Sequence, residues 1–355
     1  MTSFWHDLPR PFFILAPMEA VTDVIFRHVI AKAGAPDLYF TEFTNATGWV
    51  HAGDKAIGGR LIKTVDETKL IAQLWGALPS DMAKLAAHCK EIGFIGIDIN
   101  MGCPDASAIK AGGGAGMILS PDNAADIISA AKNSGLPVSV KTRLGYSRID
   151  EWHGWLTHLL QQDIENLTIH LRTKKEMSKV PAHFELIPEI VKLRDEIAPN
   201  TLLTINGDIE DREQGLRLVT GNPGVDGIMI GRGVFHNPFA FKPVESADES
   251  FFRETKSETQ PESFLPGAKN VSARSGLSEK TTHRDDDQKK TKLLDLLRLQ
   301  LDLYDQYSHL TNRPFDTLKR FFKIYVRDFD GAAELRDKLM HTKSTDDVRA
   351  LLNSL

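Results

Sequence analysis

Apolar residues along this chain alternate between two textures. Short runs dense in Val, Ile, Leu and Phe recur about every 30 residues, and between them apolar positions return every three to four residues. The runs lie at 12–18, 38–43, 70–76, 94–102, 137–145, 166–173, 202–208 and 227–233 and read as strands. The gaps carry the helical period, most clearly at 81–92, 122–133 and 185–197. Alternating strands and helices predict a parallel sheet, and eight such units close into a barrel more readily than they form an open sheet. The expected fold is α/β, a (β/α)8 TIM barrel.

The pattern stops near residue 242. From there to 292 Ser, Glu, Thr, Lys, Asp and Gly dominate and apolar residues are few, so burial cannot offset the entropy of ordering. This stretch reads as a flexible linker. From Leu293 the helical spacing resumes in LLDLLRLQLDLYDQY, TLKRFFKIYVRDF and ELRDKLM, which predicts a small C-terminal bundle of three or four helices. The expected organisation is a catalytic barrel at 1–241, a polar linker at 242–292 and a helical domain at 293–355.

Composition narrows the class. With 355 residues, 41% hydrophobic and 26% charged, the chain matches an ordinary globular protein and is long enough for a barrel plus a second unit. No apolar run approaches the roughly 20 residues that cross a bilayer, and the start MTSFWHDLPRPFF lacks the build of a signal peptide. The cytoplasm is the expected compartment, with no membrane partner and a monomer as the expected state. Two cysteines, Cys89 and Cys103, make neither a disulfide framework nor a metal cluster, so no metal is expected. A net charge of -5 means that any nucleic-acid partner meets a local basic patch and not a basic surface.

The chemistry gathers where the runs end, the face on which a barrel carries its active site. Those ends hold Pro17, Met18 and Glu19; Gln73; Asn100 and Cys103; Lys141 and Arg143; His170 and Arg172; Asn206, Gly207 and Asp208; Gly231 and Arg232. Cys103, held past a strand between Gly102 and Pro104, reads either as a packing residue or as a thiol presented to a ligand, whereas Cys89 in LAAHCKEIG reads as structural. The glycines at 112–116 match neither a P-loop nor a dinucleotide turn and suggest a mobile catalytic loop. Asn206-Gly207-Asp208 and Gly231-Arg232 stand where barrels bind a ligand phosphate. Lys141 in the mouth needs an anionic partner, which the electron-rich edge of a reduced flavin supplies, and His170 and Arg172 are placed to close over the same ligand. In TLKRFFKIYVR, Lys319, Arg320, Lys323 and Arg327 form either a solvated face over a core or a grip for RNA.

At these residues the chain resembles the tRNA-dihydrouridine synthase family. APMEAVTD, FTEF, AQLWG, INMGCP with GGGAG, VSVKTRLG, HLRT, NGD and IMIGRG stand in the family's order across about 12–240, and the C-terminal helices look like its tRNA-binding domain. The resemblance implies FMN, reduced by NADPH, passing a hydride to C6 of a uridine in tRNA while Cys103 protonates C5. It implies that Pro17, Met18, Glu19, Gln73, Lys141, His170, Asn206, Gly207, Asp208, Gly231 and Arg232 hold FMN. Asn100 and Arg172 would meet the substrate, and Lys319, Arg320, Lys323 and Arg327 the tRNA. One departure is Ser178, which stands about where family members commonly place a tyrosine. The rival readings are a flavin-dependent oxidoreductase of free pyrimidines or dihydroorotate, against which the basic C-terminal helices speak, and a non-catalytic RNA-binding relative.

Overall fold

The computed structural model describes residues 3–57, 59–243 and 278–354. Among these residues one parallel sheet contains β1 Phe12–Leu15, β2 Leu38–Phe40, β3 Thr44–Asn45, β4 Leu70–Trp75, β5 Ile97–Met101, β6 Val138–Arg143, β7 Asn166–His170, β8 Leu202–Asn206 and β9 Gly227–Ile230. Phe12 pairs with Gly227, Ile14 with Leu38 and Tyr39 with Leu70, so β1 joins β9 to β2, β2 joins β4 and the sheet closes. β3 is a two-residue extension beyond β2 that meets only the end of β4. The other eight strands are the expected barrel, one inside each apolar run. Between them run α1 Val24–Gly34, α2 Ala46–Ala56, α3 Pro79–Glu91, α4 Ala106–Lys110, α5 Pro121–Lys132, α6 Trp152–Leu160, α7 Ile187–Ile197, α8 Arg212–Gly221 and α9 Gly233–His236. Pro79, Pro121 and Pro188 sit in first turns, where a missing N–H costs no helical hydrogen bond.

Alternation along the strands sends one set of side chains out to the helices and the other into the barrel. Phe13, Leu15, Ile97, Ile99, Val138 and Val140 belong to the outer core. Phe12, Ile14, Leu38, Phe40, Ile71 and Met229 form a separate inner cluster that includes the fully buried Trp5. Apart from Ile71 and Leu202, which join that cluster, the inward positions of β4 to β8 are polar and bond one another: Gln73 bonds Asp98 and Asn100, Ser139 bonds Asp98, Lys141 bonds Asn206, and Asn166 bonds Thr168 and Thr204. The barrel interior is thus apolar on one side and a closed polar network on the other.

The C-terminal unit consists of α10 Ser278–Thr311, α11 Lys319–Tyr325, α12 Ala332–Met340 and α13 Thr345–Asn353. Helix α10 begins at Ser278, so the part of the expected linker at 278–292 is helical. Its Glu, Lys, Arg and Gln residues are good helix formers and continue a helix whose later turns pack in a core; scarcity of apolar residues excludes burial, not helicity. The remainder of that linker, 244–277, lies outside the described residues. The helices dock on the barrel, with the Phe321 ring 5.2 Å from that of Phe26. Arg313 donates to both carboxylate oxygens of fully buried Glu42 at 2.6 Å and stands 3.5 Å from Asp23.

Candidate active site

A cavity of about 730 Å³ opens at the carboxyl ends of the strands. Its wall contains Pro17, Met18, Lys141, His170, Asn206, Gly207, Asp208, Gly231 and Arg232, nine of the eleven residues expected to hold FMN, together with Lys323 and Arg327, expected at the tRNA, and Glu210, Phe235 and His236. Lys141 reaches across from β6 to the Oδ1 of Asn206 on β8 at 3.1 Å, leaving two of its ammonium hydrogens without that partner. Burial in the mouth pulls its pKa down to about 8, helped by Arg143 and opposed by Asp98. Burial and then the charges of Arg143, Lys141 and Arg172 hold His170 well below its ordinary value, so its ring is neutral. Nη1 of Arg172 stands 3.1 Å from Nε2 of His170; a guanidinium can only donate, so the ring proton sits on Nδ1. That Nδ1 has no acceptor among the described residues.

The wall is supported from behind. Arg172, expected at the substrate, is only 2% exposed and lies behind the cavity, donating to the Asp208 carboxylate, to His170 and to the Val180 carbonyl. Gly207 has a φ of 119°, and a Cβ there would stand 3.1 Å from the His170 ring, so glycine lets loop and ring meet. A Cβ on Gly233 would run into the Glu210 backbone carbonyl, which makes the loops after β8 and β9 inseparable.

Cys103 stands outside this wall, in the loop leaving β5. Asn100 pairs in register with Lys141, so the loop departs beside that half-buried lysine. Four contacts fix the thiol's backbone. Asn100 Oδ1 accepts from the Gly102 and Cys103 amides at 3.1 and 2.9 Å, the Gly102 carbonyl accepts from Arg143 at 2.7 Å, and the Cys103 carbonyl accepts from Ala115 N at 2.9 Å. Asn100, expected at a uracil edge, therefore has its carbonyl oxygen engaged within its own loop, and its Nδ2 donates to Gln73 at 3.1 Å. Gln73, expected at the cofactor, donates to Asp98 at 2.7 Å, and Ser139 donates to the same carboxyl at 2.6 Å. Burial drives Asp98 up to about 6 against those hydrogen bonds. This chain from Ser139 through Asp98 and Gln73 to Asn100 is one that strand-end reading misses. Its signal was available: in IDIN and VSVK polar residues recur every second position inside an apolar run. The glycines at 112–116 bring chain segments together. Gly114, at φ 54°, would place a Cβ 2.7 Å from the Cys103 carbonyl, and Gly113 lies on the Trp75 ring. Burial also pushes the Cys103 thiol above its ordinary value.

The remaining expected residues are engaged elsewhere. Glu19 is exposed and pairs with Arg60. Lys319 pairs with Asp316 at 2.7 Å, and Arg320 donates to the Ala20 carbonyl at 3.0 Å. Ser178 is exposed, beyond the buried Arg172 and Thr173.

Fold and site together define a (β/α)8-barrel protein whose strand-end cavity suits an anionic ligand, next to a protonated thiol. The chain belongs to the dihydrouridine synthase family: residues 14–353 match the model of that family, described as Dihydrouridine synthase (Dus). Over 352 residues it is 54% identical to a Bacillus subtilis (strain 168) protein named "Probable tRNA-dihydrouridine synthase 2", covering 99% of this chain and 96% of that one. It is 51% identical over 352 residues to a "Probable tRNA-dihydrouridine synthase" of Staphylococcus aureus (strain COL), covering 99% and 95%.

Proposed function

We propose that this chain reduces a uridine of tRNA to 5,6-dihydrouridine, with FMN in the barrel cavity and NADPH as the source of electrons. The observation that carries the reading is the set of unanswered donors in the cavity, the Lys141 ammonium and His170 Nδ1–H, in a chain of this family. The residues fit FMN. Lys141, held by Asn206, and His170 offer N–H groups to the electron-rich edge of a flavin, Pro17 and Met18 add apolar wall, and Gly207, Gly231 and Arg232 suit its phosphate. The names of the Bacillus and Staphylococcus relatives support tRNA as the substrate. The chemistry FMN supplies when bound is hydride transfer, taking the hydride from NADPH and passing it to C6 of the uracil.

Cys103 completes the reduction as general acid. Its S–H bond breaks as the C5–H bond forms, and the thiolate regains a proton from water. A half-buried thiol with a raised pKa is protonated at neutral pH, the state this step requires. Asn100 and Arg143 are positioning residues that hold its loop.

The test is a visible spectrum followed through anaerobic NADPH and then unmodified tRNA. The wild type should show a flavin band that bleaches with NADPH and recovers with tRNA. Cys103→Ala should bleach alike but form dihydrouridine roughly a hundredfold more slowly. Full dihydrouridine formation by that variant removes the thiol from the reaction, and a colourless protein that takes up no FMN overturns the flavin reading.

A further inference from the structure

The cavity is not walled by the barrel alone. Lys323 in α11 and Arg327 just beyond it line the cavity beside Arg232, Phe235 and His236. Of the four basic residues that the sequence groups as an RNA grip, these two face inward to the site, whereas Lys319 and Arg320 are held by Asp316 and the Ala20 carbonyl. Arg327 ties the two units together: its Nη1 donates to the Phe235 and His236 carbonyls at 3.3 and 2.8 Å, at the end of α9, and its Nε pairs with Asp328. Lys323 has no hydrogen bond or ion pair among the described residues, although it stands at a cavity.

Charge indicates what it waits for. Lys141, Arg232, Lys323 and Arg327 on the wall face two carboxylates, Asp208 and Glu210. Asp208 pairs with Arg172 behind it and stands 3.5 Å from Arg232, Arg327 pairs with Asp328, and Lys141 is held by Asn206, which leaves Lys323 as the wall cation with neither a side-chain hydrogen bond nor an ion pair among the described residues. Arg232, Lys323 and Arg327 gather around α9, the helix that Arg232 precedes and Arg327 holds. A phosphate monoester carries up to two negative charges and accepts several charge-assisted hydrogen bonds, which matches such a cluster better than the single charge of an RNA phosphodiester.

Resting on the FMN reading above, we infer that Lys323 and Arg327 bind the phosphate monoester of the cavity's occupant. The C-terminal helical unit is then part of the cofactor site, and cofactor loading depends on its docking.

FMN and riboflavin differ only by that phosphate, so their affinities for the full-length apoprotein, read by quenching of flavin fluorescence, isolate the contact. Lys323→Ala removes an exposed side chain without partners and leaves the fold intact. It should weaken FMN binding by roughly tenfold while riboflavin affinity stays within about twofold. Unchanged FMN affinity with weakened tRNA binding assigns the cations to RNA and overturns the inference. Equal losses for FMN and riboflavin overturn it too, because they report a displaced helix. A wild-type protein that binds neither flavin fails at the preceding reading, an outcome distinct from both.

Discussion

Lys141 is held where the polar interior of the barrel opens into the cavity, and its charge is the property that pH can remove. Burial sets its pKa at about 8, so the free protein presents an ammonium below that value and a neutral amine above it. Affinity for FMN should therefore fall as pH rises through about 8, and Lys141→Gln should bind FMN weakly with that step absent; fluorescence titrations at a series of pH values check both. Residue identity alone made Lys141 legible, because a cation at the end of an apolar run demands a partner. Arg172 carries the same signal but lies behind the wall, holding Asp208 and His170. Which side of the backbone a strand-end residue takes is decided by neighbouring loops, and spacing does not record it.

At the scale of elements, the site is made where the loops after β8 and β9 interlock. Gly233 opens α9, and the Glu210 carbonyl occupies the place a Cβ would take. Gly233→Ala must push the two loops apart; we expect FMN affinity to drop at least tenfold and the thermal midpoint to fall by several degrees, measured on the same preparation by fluorescence and calorimetry. Retained affinity would show that the loops move independently of the cavity. The strands themselves were readable from periodicity, since each apolar run contains one. The runs overshoot the strands at their C-terminal ends because the loop residues that follow are also partly buried, against the site. The polar linker reading differs from the structure at 278–292 for the converse reason: a helix of polar residues has no apolar periodicity to announce it.

Across the whole molecule, the two units meet through an ion pair with little water around it. Glu42 is fully buried, and burial raises its pKa while Arg313 opposes that rise. Glu42 also accepts from the Ala20 amide and Arg320 donates to the Ala20 carbonyl, so the loop that carries Met18 into the cavity is gripped from both units. Removing one partner of a buried pair leaves an uncompensated charge, and Arg313→Ala should cost roughly 3 kcal/mol of stability. Glu42→Gln in that background should recover much of the loss. Chemical denaturation of the single and double variants measures it, and a single variant as stable as wild type would mean that the pair contributes nothing to docking.

The sequence by itself determined the barrel, its order of strands and the identities of most cavity residues. Period-2 and period-3.6 patterning are written into local spacing, and a closed barrel sends every strand end to one face. Only tertiary structure decided which of those residues reach the cavity, which stand behind it, and that Lys323 and Arg327 of the C-terminal unit join a wall built by the barrel. Those outcomes depend on loops and helices far apart in sequence coming within a few ångströms of one another, a distance that no local pattern encodes.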